Sequence, residues 1–320
     1  MASPYCNPGR YAAIDIGTVT VRLLVADVDA AGSLTSVAKR YRICNLGEGV
    51  DQNGVLSKAA IQRVLDAIDE YLDVIEACIT PDHPLVGIMA VATSATRDAK
   101  NAQEFVDALA ERGIELEVIS GDKEARLTFA GATSSWPGAG CMVLDVGGGS
   151  TEVSFGTAGD APIIFHSFDL GSRRCTERYL LSDPPTPEEL DRCSKAVSAE
   201  LNAWAAQVPW HERRTERMIA VAGAATSIVS MLEEMTEYDS DRVHGAVVGE
   251  AELAVLIDRL AAMTLTERQQ VVGLDPGRAP VIVAGLLIIL QVMHEFNQPA
   301  LTASENDILQ GIILHLSQKH

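Results

Sequence analysis

The stretch Val143 to Val153, Val-Leu-Asp-Val-Gly-Gly-Gly-Ser-Thr-Glu-Val, constrains this chain more than any other. An apolar run ends in Asp145, three glycines with a serine and a threonine make a turn, and Glu152 opens the next apolar run. Glycines let the backbone turn tightly and approach a ligand closely, because no Cβ intervenes. Successive N–H groups in such a turn form a nest for anionic oxygens. Asp145 and Glu152 add carboxylates of the kind that Mg²⁺ accepts. Read as residues, the stretch is either a phosphate–metal site or an ordinary glycine-rich hairpin, and the flanking acids favour the former.

A second, weaker copy lies upstream. Tyr11 to Val28 reads strand, turn, strand around Asp15-Ile-Gly-Thr-Val-Thr20, with Asp15, Gly17 and Thr20 standing 130 residues before Asp145, Gly147 and Ser150. Two such turns in one context suggest a duplicated domain whose turns face each other across a cleft. The remaining chain alternates strand and helix. Strands are expected near residues 37–42, 85–92, 115–119, 163–167 and 218–222. Helices are expected after Ser57, over 102–112 and 124–133, from Thr186-Pro187 to about Val208, over 250–263, 266–271 and 280–296, and after Ser304-Glu-Asn-Asp307. That alternation indicates an α/β protein with two sheets. Gly223-Ala-Ala-Thr226 reads as a third small-residue turn, placed before a helix.

Charge narrows the partners. With 44 acidic against 25 basic residues the net charge is −19, which argues against nucleic acid or an anionic membrane. The longest apolar run, Val281 to Leu290, is far short of the roughly 20 residues that span a bilayer. Six scattered cysteines with no CxxC pair read as reduced packing thiols of a cytoplasmic protein.

The ordered motifs Asp15-Ile-Gly-Thr, Ala92-Thr-Ser-Ala-Thr-Arg97, Ser120-Gly-Asp-Lys-Glu-Ala-Arg126 and Asp145-Val-Gly-Gly-Gly-Ser-Thr-Glu152 resemble the exopolyphosphatase/guanosine pentaphosphate phosphatase family, short two-domain form, of the actin/hexokinase/Hsp70-like superfamily. Gly273-Leu-Asp-Pro-Gly-Arg-Ala-Pro280 and Ser304-Glu-Asn-Asp307 add to it. The resemblance implies two ribonuclease-H-like domains with a site in an inter-domain cleft. The first would cover 1–130, completed by the C-terminal helix 306–320, and the second 131–305.

It also implies roles. Glu124 would be the general base that activates water, and Arg97 would neutralise the transferred phosphoryl group. Asp145 and Glu152, with Asp15 as helper, would hold Mg²⁺ or Mn²⁺. Phosphate would be held by Gly17, Thr18 and Thr20, by Gly147, Gly148, Gly149, Ser150 and Thr151, and by Arg173, Thr226 and His244. Arg126 and Arg174 are weaker candidates. The substrate would be inorganic polyphosphate, short chains above all, or guanosine penta- or tetraphosphate. A homodimer is a further expectation of the family. A weakly active nucleotide or phosphate sensor is the reading of another class. Three departures support it: Val19 at a usual Asn, Asn45 at an often basic position, and Ala224-Ala225 at a usual Gly-containing pair.

Overall fold

The computed structural model describes residues 6–209 and 215–318. The outermost residues of the expected 1–130 and 306–320 segments therefore lie outside the described residues, as do 210–214 within 131–305. Contacts divide the chain into two units, residues up to Ser134 with those from Asp307 onward, and Ser135–Asn306.

The first unit is built on β1 (Gly9–Ile16), β2 (Thr20–Val28), β3 (Leu34–Ile43), β4 (Leu85–Ala92) and β5 (Leu116–Val118), in the order β3-β2-β1-β4-β5. Strands β1 to β3 pair antiparallel, and β4 and β5 extend the sheet in parallel from β1. Strand β1 is almost wholly buried. Both faces of the sheet are covered, which is why Tyr11 to Ile14 reads as a continuous apolar run rather than an alternation. One face packs on the helices Lys58–Cys78 and Ala102–Ala110 through Ile14, Leu23, Val64, Ile68 and Phe105. The other packs on Gly121–Thr133 and Ile308–Gln318 through Tyr11, Leu24, Leu127, Leu309 and Ile312. The last helix is thus part of the first unit.

Those two helices meet backbone to backbone. A Cβ on Gly131 would stand 1.8 Å from the Asp307 carbonyl oxygen, and one on Gly311 would stand 1.8 Å from that of Leu127. Glycine is required there for close approach, since neither carbonyl can swing aside as a flexible side chain would. Gly311→Ala is expected to cost roughly 3 kcal/mol, the upper end of overpacking penalties. Denaturant unfolding checks this, and a loss below about 1 kcal/mol would show that the helices slide apart freely.

The second unit repeats the plan with β6 (Gly140–Val146), β7 (Thr151–Thr157), β8 (Ile164–Phe168), β9 (Arg217–Val221), β10 (Val247–Gly249) and β11 (Ala300–Ala303). Their order is β10-β11-β9-β6-β7-β8. Strands β6, β7 and β8 pair antiparallel like β1, β2 and β3, while β9 and β11 extend the sheet in parallel. The fold class is α/β with two mixed sheets of shared topology. The helices Ser172–Tyr179, Pro187–Ala205, Glu250–Ala261 and Ile282–Glu295 bury one continuous core with the sheet. Among the described residues no helix is long and apolar enough to cross a membrane.

Local chemistry explains most boundaries. Ser57 and Ser120 accept the N–H of the third helical residue, from Ala60 and Lys123, and Thr186 with Glu189 closes a capping box with Pro187 in the first turn. Ser120 starts its helix at Gly121, three residues before the expected start at Glu124. The expected turn at Gly223–Thr226 is instead the first turn of the helix Ala222–Leu232, entered directly from β9 through Ala222 at φ +66°. Asn45 has φ +51°, a left-handed conformation that Asn tolerates better than Lys or Arg. That conformation is a local reason for Asn at this position.

Candidate active site

Each unit carries its own turn between its first two strands. In the second unit Asp145 faces Glu152 in the β6–β7 register, and the Gly147 N–H donates to the Ser150 carbonyl at 3.0 Å. Asp145, Ser150, Thr151 and Glu152 are all buried. The helix Ser172–Tyr179 docks on the outside of this turn. The N–H groups of Ser172 and Arg173 donate to the Gly147 and Gly148 carbonyls, both at 2.9 Å, and Arg174 Nε donates to the Gly149 carbonyl at 2.7 Å. The carbonyl oxygens, which would repel an anion, are therefore engaged by the helix. Gly171 makes this docking possible, because a Cβ there would lie 2.3 Å from the Gly148 oxygen. Thr151 Oγ1 is buried without a hydrogen-bond partner in the described structure. An orphaned buried hydroxyl costs free energy, and a phosphate oxygen would satisfy it.

Two carboxylates facing each other across a hairpin fit Mg²⁺, which usually takes one or two protein carboxylates and completes its shell with water and substrate phosphate. No group of three or more His, Cys, Asp or Glu side chains suited to a metal occurs among the described residues. A closed, all-protein cage is therefore not the pattern here. Glu152 Oε1 also accepts from the Ser167 hydroxyl at 2.6 Å, which orients it.

The first unit has the same turn with a different charge at its base. The Gly17 N–H donates to the Thr20 carbonyl at 2.9 Å, and Asp15 stands opposite Arg22, where the second unit has Glu152. Arg22 donates to Asp15 Oδ2 from Nη2 at 2.6 Å and from Nε at 3.0 Å, and its Nη1 reaches Asp307. Burial pushes the Asp15 carboxyl above its ordinary pKa, with Arg22 pulling the other way. Asp15, expected to help hold a metal, thus shares its Oδ2 with a guanidinium. Thr18 is buried and packed on Gly47, while Gly17 and Thr20 are half-buried.

Glu124 and Arg97, far apart in sequence, meet in the first unit. The helix Gly121–Thr133 presents Glu124 in its first turn, with 7% of its surface exposed. Arg97, at the end of the short helix Ser94–Asp98, donates to Glu124 Oε2 at 3.3 Å and to the Ile119 carbonyl at 2.9 Å. The pair brings a carboxylate at a positive helix end together with a guanidinium able to bind phosphate oxygens. Arg126 is exposed on the same helix.

Other expected residues are placed differently. The Arg173 side chain pairs with Glu177 at 3.3 Å. Thr226 Oγ1 donates to the Ala222 carbonyl at 3.3 Å. His244 sits among Ser135, Trp136 and Glu305. Its Nδ1 accepts the Glu305 N–H at 3.2 Å, its Nε2 lies 3.1 Å from Ser135 Oγ, and its ring rests 5.2 Å from that of Trp136. Asn306 Nδ2 donates to the same serine oxygen at 3.0 Å. With Nδ1 as acceptor, Nε2 carries the proton and donates to Ser135. His244→Ala is expected to cost about 1 kcal/mol for these partly exposed bonds while leaving KM for phosphate substrates unchanged. A severalfold rise in KM would restore a phosphate-holding role.

Arg278 was not singled out from the sequence, although it lies within the quoted Gly273–Pro280 motif. Its guanidinium covers Gly223 so closely that a Cβ there would stand 1.8 Å from Nη1. A glycine at the start of one helix, matched with an arginine inside a distant motif, was the available signal.

Comparison with known proteins places this geometry. The model of the Ppx/GppA phosphatase family matches residues 24–320. "Exopolyphosphatase 2" of Mycobacterium tuberculosis is 37% identical over 323 residues, covering 96% of this chain and 98% of that protein. The crystal structure of an exopolyphosphatase-like protein superposes with a TM-score of 0.88 at 32% identity, covering 97% of this chain and 98% of that one. The Aquifex aeolicus member of the Ppx/GppA family gives a TM-score of 0.80 at 29% identity, covering 98% and 99%. The second-unit turn and the Arg97–Glu124 pair fall within the matched residues 24–320, and the chain belongs to the Ppx/GppA phosphatase family.

Proposed function

We propose that this protein is an exopolyphosphatase that releases the terminal phosphate of inorganic polyphosphate, short chains in preference, with the help of Mg²⁺ or Mn²⁺. The observation that carries the reading is the buried Glu124 carboxylate held against Arg97 at 3.3 Å. Glu124 takes the proton from the attacking water. Arg97 neutralises charge on the phosphoryl oxygens as it develops. Drawing the guanidinium onto phosphate when substrate is present would free the carboxylate oxygen that now accepts from it.

In the second unit Gly147–Gly149 offer backbone N–H groups, Ser150 and Thr151 offer hydroxyls, and Asp145 with Glu152 would hold the divalent cation. Bound there, the cation would neutralise phosphate oxygens. The exopolyphosphatase names of the relatives support this assignment. A net charge of −19 slows the approach of a long polyanion at low salt, which favours short chains. The same observation favours a second reading, removal of the 5′-terminal phosphate from guanosine pentaphosphate.

Phosphate release from tripolyphosphate, long polyphosphate and guanosine pentaphosphate, each with Mg²⁺, with Mn²⁺ and with chelator, tests these readings. Metal-dependent release from tripolyphosphate exceeding that from the nucleotide is the expected result. Preference for the nucleotide would establish the second reading. Nucleotide binding without turnover on any substrate would overturn both and leave a sensor.

A further inference from the structure

The glycine turn of the second unit takes its direction from whatever holds its carbonyls. Its peptide bonds are trans, the cis bond among the described residues lying at Asp183–Pro184. In a trans peptide the C=O and the N–H that follows it point opposite ways. A carbonyl turned toward the helix Ser172–Tyr179 therefore sends the next N–H away from that helix. The Gly147 carbonyl accepts from the Ser172 N–H at 2.9 Å, and the Gly148 carbonyl accepts from the N–H groups of Arg173 and Arg174 at 2.9 and 3.1 Å. Those are backbone donors, which almost any residue would supply. The Gly149 carbonyl has no backbone donor among the described residues and accepts from Arg174 Nε, at 2.7 Å.

The first unit solves the same problem without a side chain. At the interval of 130 residues, Thr18 and Val19 stand where Gly148 and Gly149 do. The Thr18 carbonyl accepts from the Gly47 N–H at 2.8 Å, and the Val19 carbonyl accepts from those of Cys44 and Asn45, both at 2.9 Å. In the second unit the matching position is a buried glycine, which lacks the Cβ that would restrain its φ and ψ. Released from Arg174, the peptide between Gly149 and Ser150 would be able to turn over and put its oxygen where its N–H had been. We propose that Arg174 is a positioning residue of the phosphate turn. Its Nε–H pins the Gly149 carbonyl to the helix, and the Ser150 N–H stays turned away from the helix, toward the phosphate. Arg174 acts through the backbone as a donor, and not as a cation in contact with the substrate.

Side-chain chemistry separates those two roles. Glutamine carries its amide nitrogen on Cδ, as arginine carries Nε, so it is able to donate from the same place without a charge. Methionine fills similar space along the stem and donates nothing. With methionine the buried Gly149 carbonyl loses its donor, and the peptide that it belongs to loses its orientation. Losing one N–H that donates to a charged oxygen weakens binding by roughly tenfold or more. The turn holds phosphate before transfer as well as during it, so the loss falls on KM and spares kcat.

The kinetic consequence rests on the proposed activity, whereas the hold on the turn does not. The whole protein, Arg174→Met and Arg174→Gln are compared by release from tripolyphosphate, calorimetric binding of inorganic phosphate, amide exchange over Gly147–Ser150 and denaturant unfolding. In Arg174→Met, KM and the Kd for phosphate should rise about tenfold, kcat should hold within about twofold, and exchange over the turn should quicken. Arg174→Gln should stay close to the parent in all of these. A glutamine variant that loses as much as the methionine variant would overturn the proposal and make the arginine a cation for phosphate. Parent-like KM and exchange in Arg174→Met would overturn it as well. Should Arg174→Met not fold, Arg174→Gln decides: a parent-like KM upholds the donor role, and a tenfold rise in a folded protein overturns it. A parent protein that neither binds phosphate nor releases it from tripolyphosphate would refute the proposed function. Exchange at the Ser150 amide, faster in Arg174→Met than in Arg174→Gln or equal in both, would then still uphold or overturn the hold of Arg174 on the turn.

Discussion

Glu124→Gln is expected to lower phosphate release about 10²-fold or more, the scale of a lost general base, with substrate binding and folding close to the parent's. Glutamine keeps the size of the side chain and can still accept a hydrogen bond from Arg97, so the helix Gly121–Thr133 has no cause to move. What it loses is the ability to take a proton from water. Initial rates and KM on tripolyphosphate, with an unfolding curve for each protein, separate these effects. A variant that turns over within about 3-fold of the parent, far inside the usual loss of a general base, would remove Glu124 from the role. Arg97→Met is the complementary test. It should raise KM and lower kcat together, because the arginine is assigned to phosphate as well as to Glu124.

Arg22→Met should produce the largest loss of stability, about 3–5 kcal/mol, the cost of leaving a buried charge without its partner. Arg22 lies between Asp15 and Asp307, whose side chains are only 4% and 8% exposed. Methionine fills much of the same space, so the loss measures charge more than volume. The pH dependence has a definite sign. Without the guanidinium, the folded-state pKa of Asp15 rises further above the ordinary carboxylate value, from which burial already raises it. A group raised in this way is favoured in the folded state while protonated. The added penalty should therefore vanish below the unfolded pKa and grow as pH rises toward the folded one. Denaturant midpoints at acidic and neutral pH give the measurement. A loss that stays constant with pH would show that packing, and not charge, is what Arg22 supplies. Asp15→Asn in the same background should recover part of the loss.

Much of the architecture was legible in the chain. The repeat of Asp-x-Gly at an interval of 130 residues matches two sheets in which three antiparallel strands are extended by parallel ones. The N-cap at Ser57 and the capping box at Thr186 bounded helices because a side-chain oxygen three positions from its N–H partner is a local, readable signal. Some local features stayed hidden. The helix that begins at Ala222 has no side-chain cap, and the short β10 gave no periodicity to read. Inside the site, motif and order pointed to Glu124 and Arg97, but their 3.3 Å separation depends on where β4 and β5 deliver two different helices. His244 shows the limit from the other side, since its sequence context is compatible with phosphate and only the packed structure reveals Ser135, Glu305 and Asn306 around it.

The amino-acid sequence by itself determined the duplicated plan, the glycine turns, and the identity of the groups able to handle phosphate. Those properties follow from backbone freedom, periodicity and side-chain chemistry, all of which act over a few residues. Tertiary structure alone decided how the charges were shared out. It gave Asp15 a guanidinium for a partner while Asp145 faces Glu152, and it set Arg97 on Glu124 and Arg278 on Gly223. Each of these pairs joins separate elements, and Coulomb and contact interactions depend on distance in space, which residue order does not record.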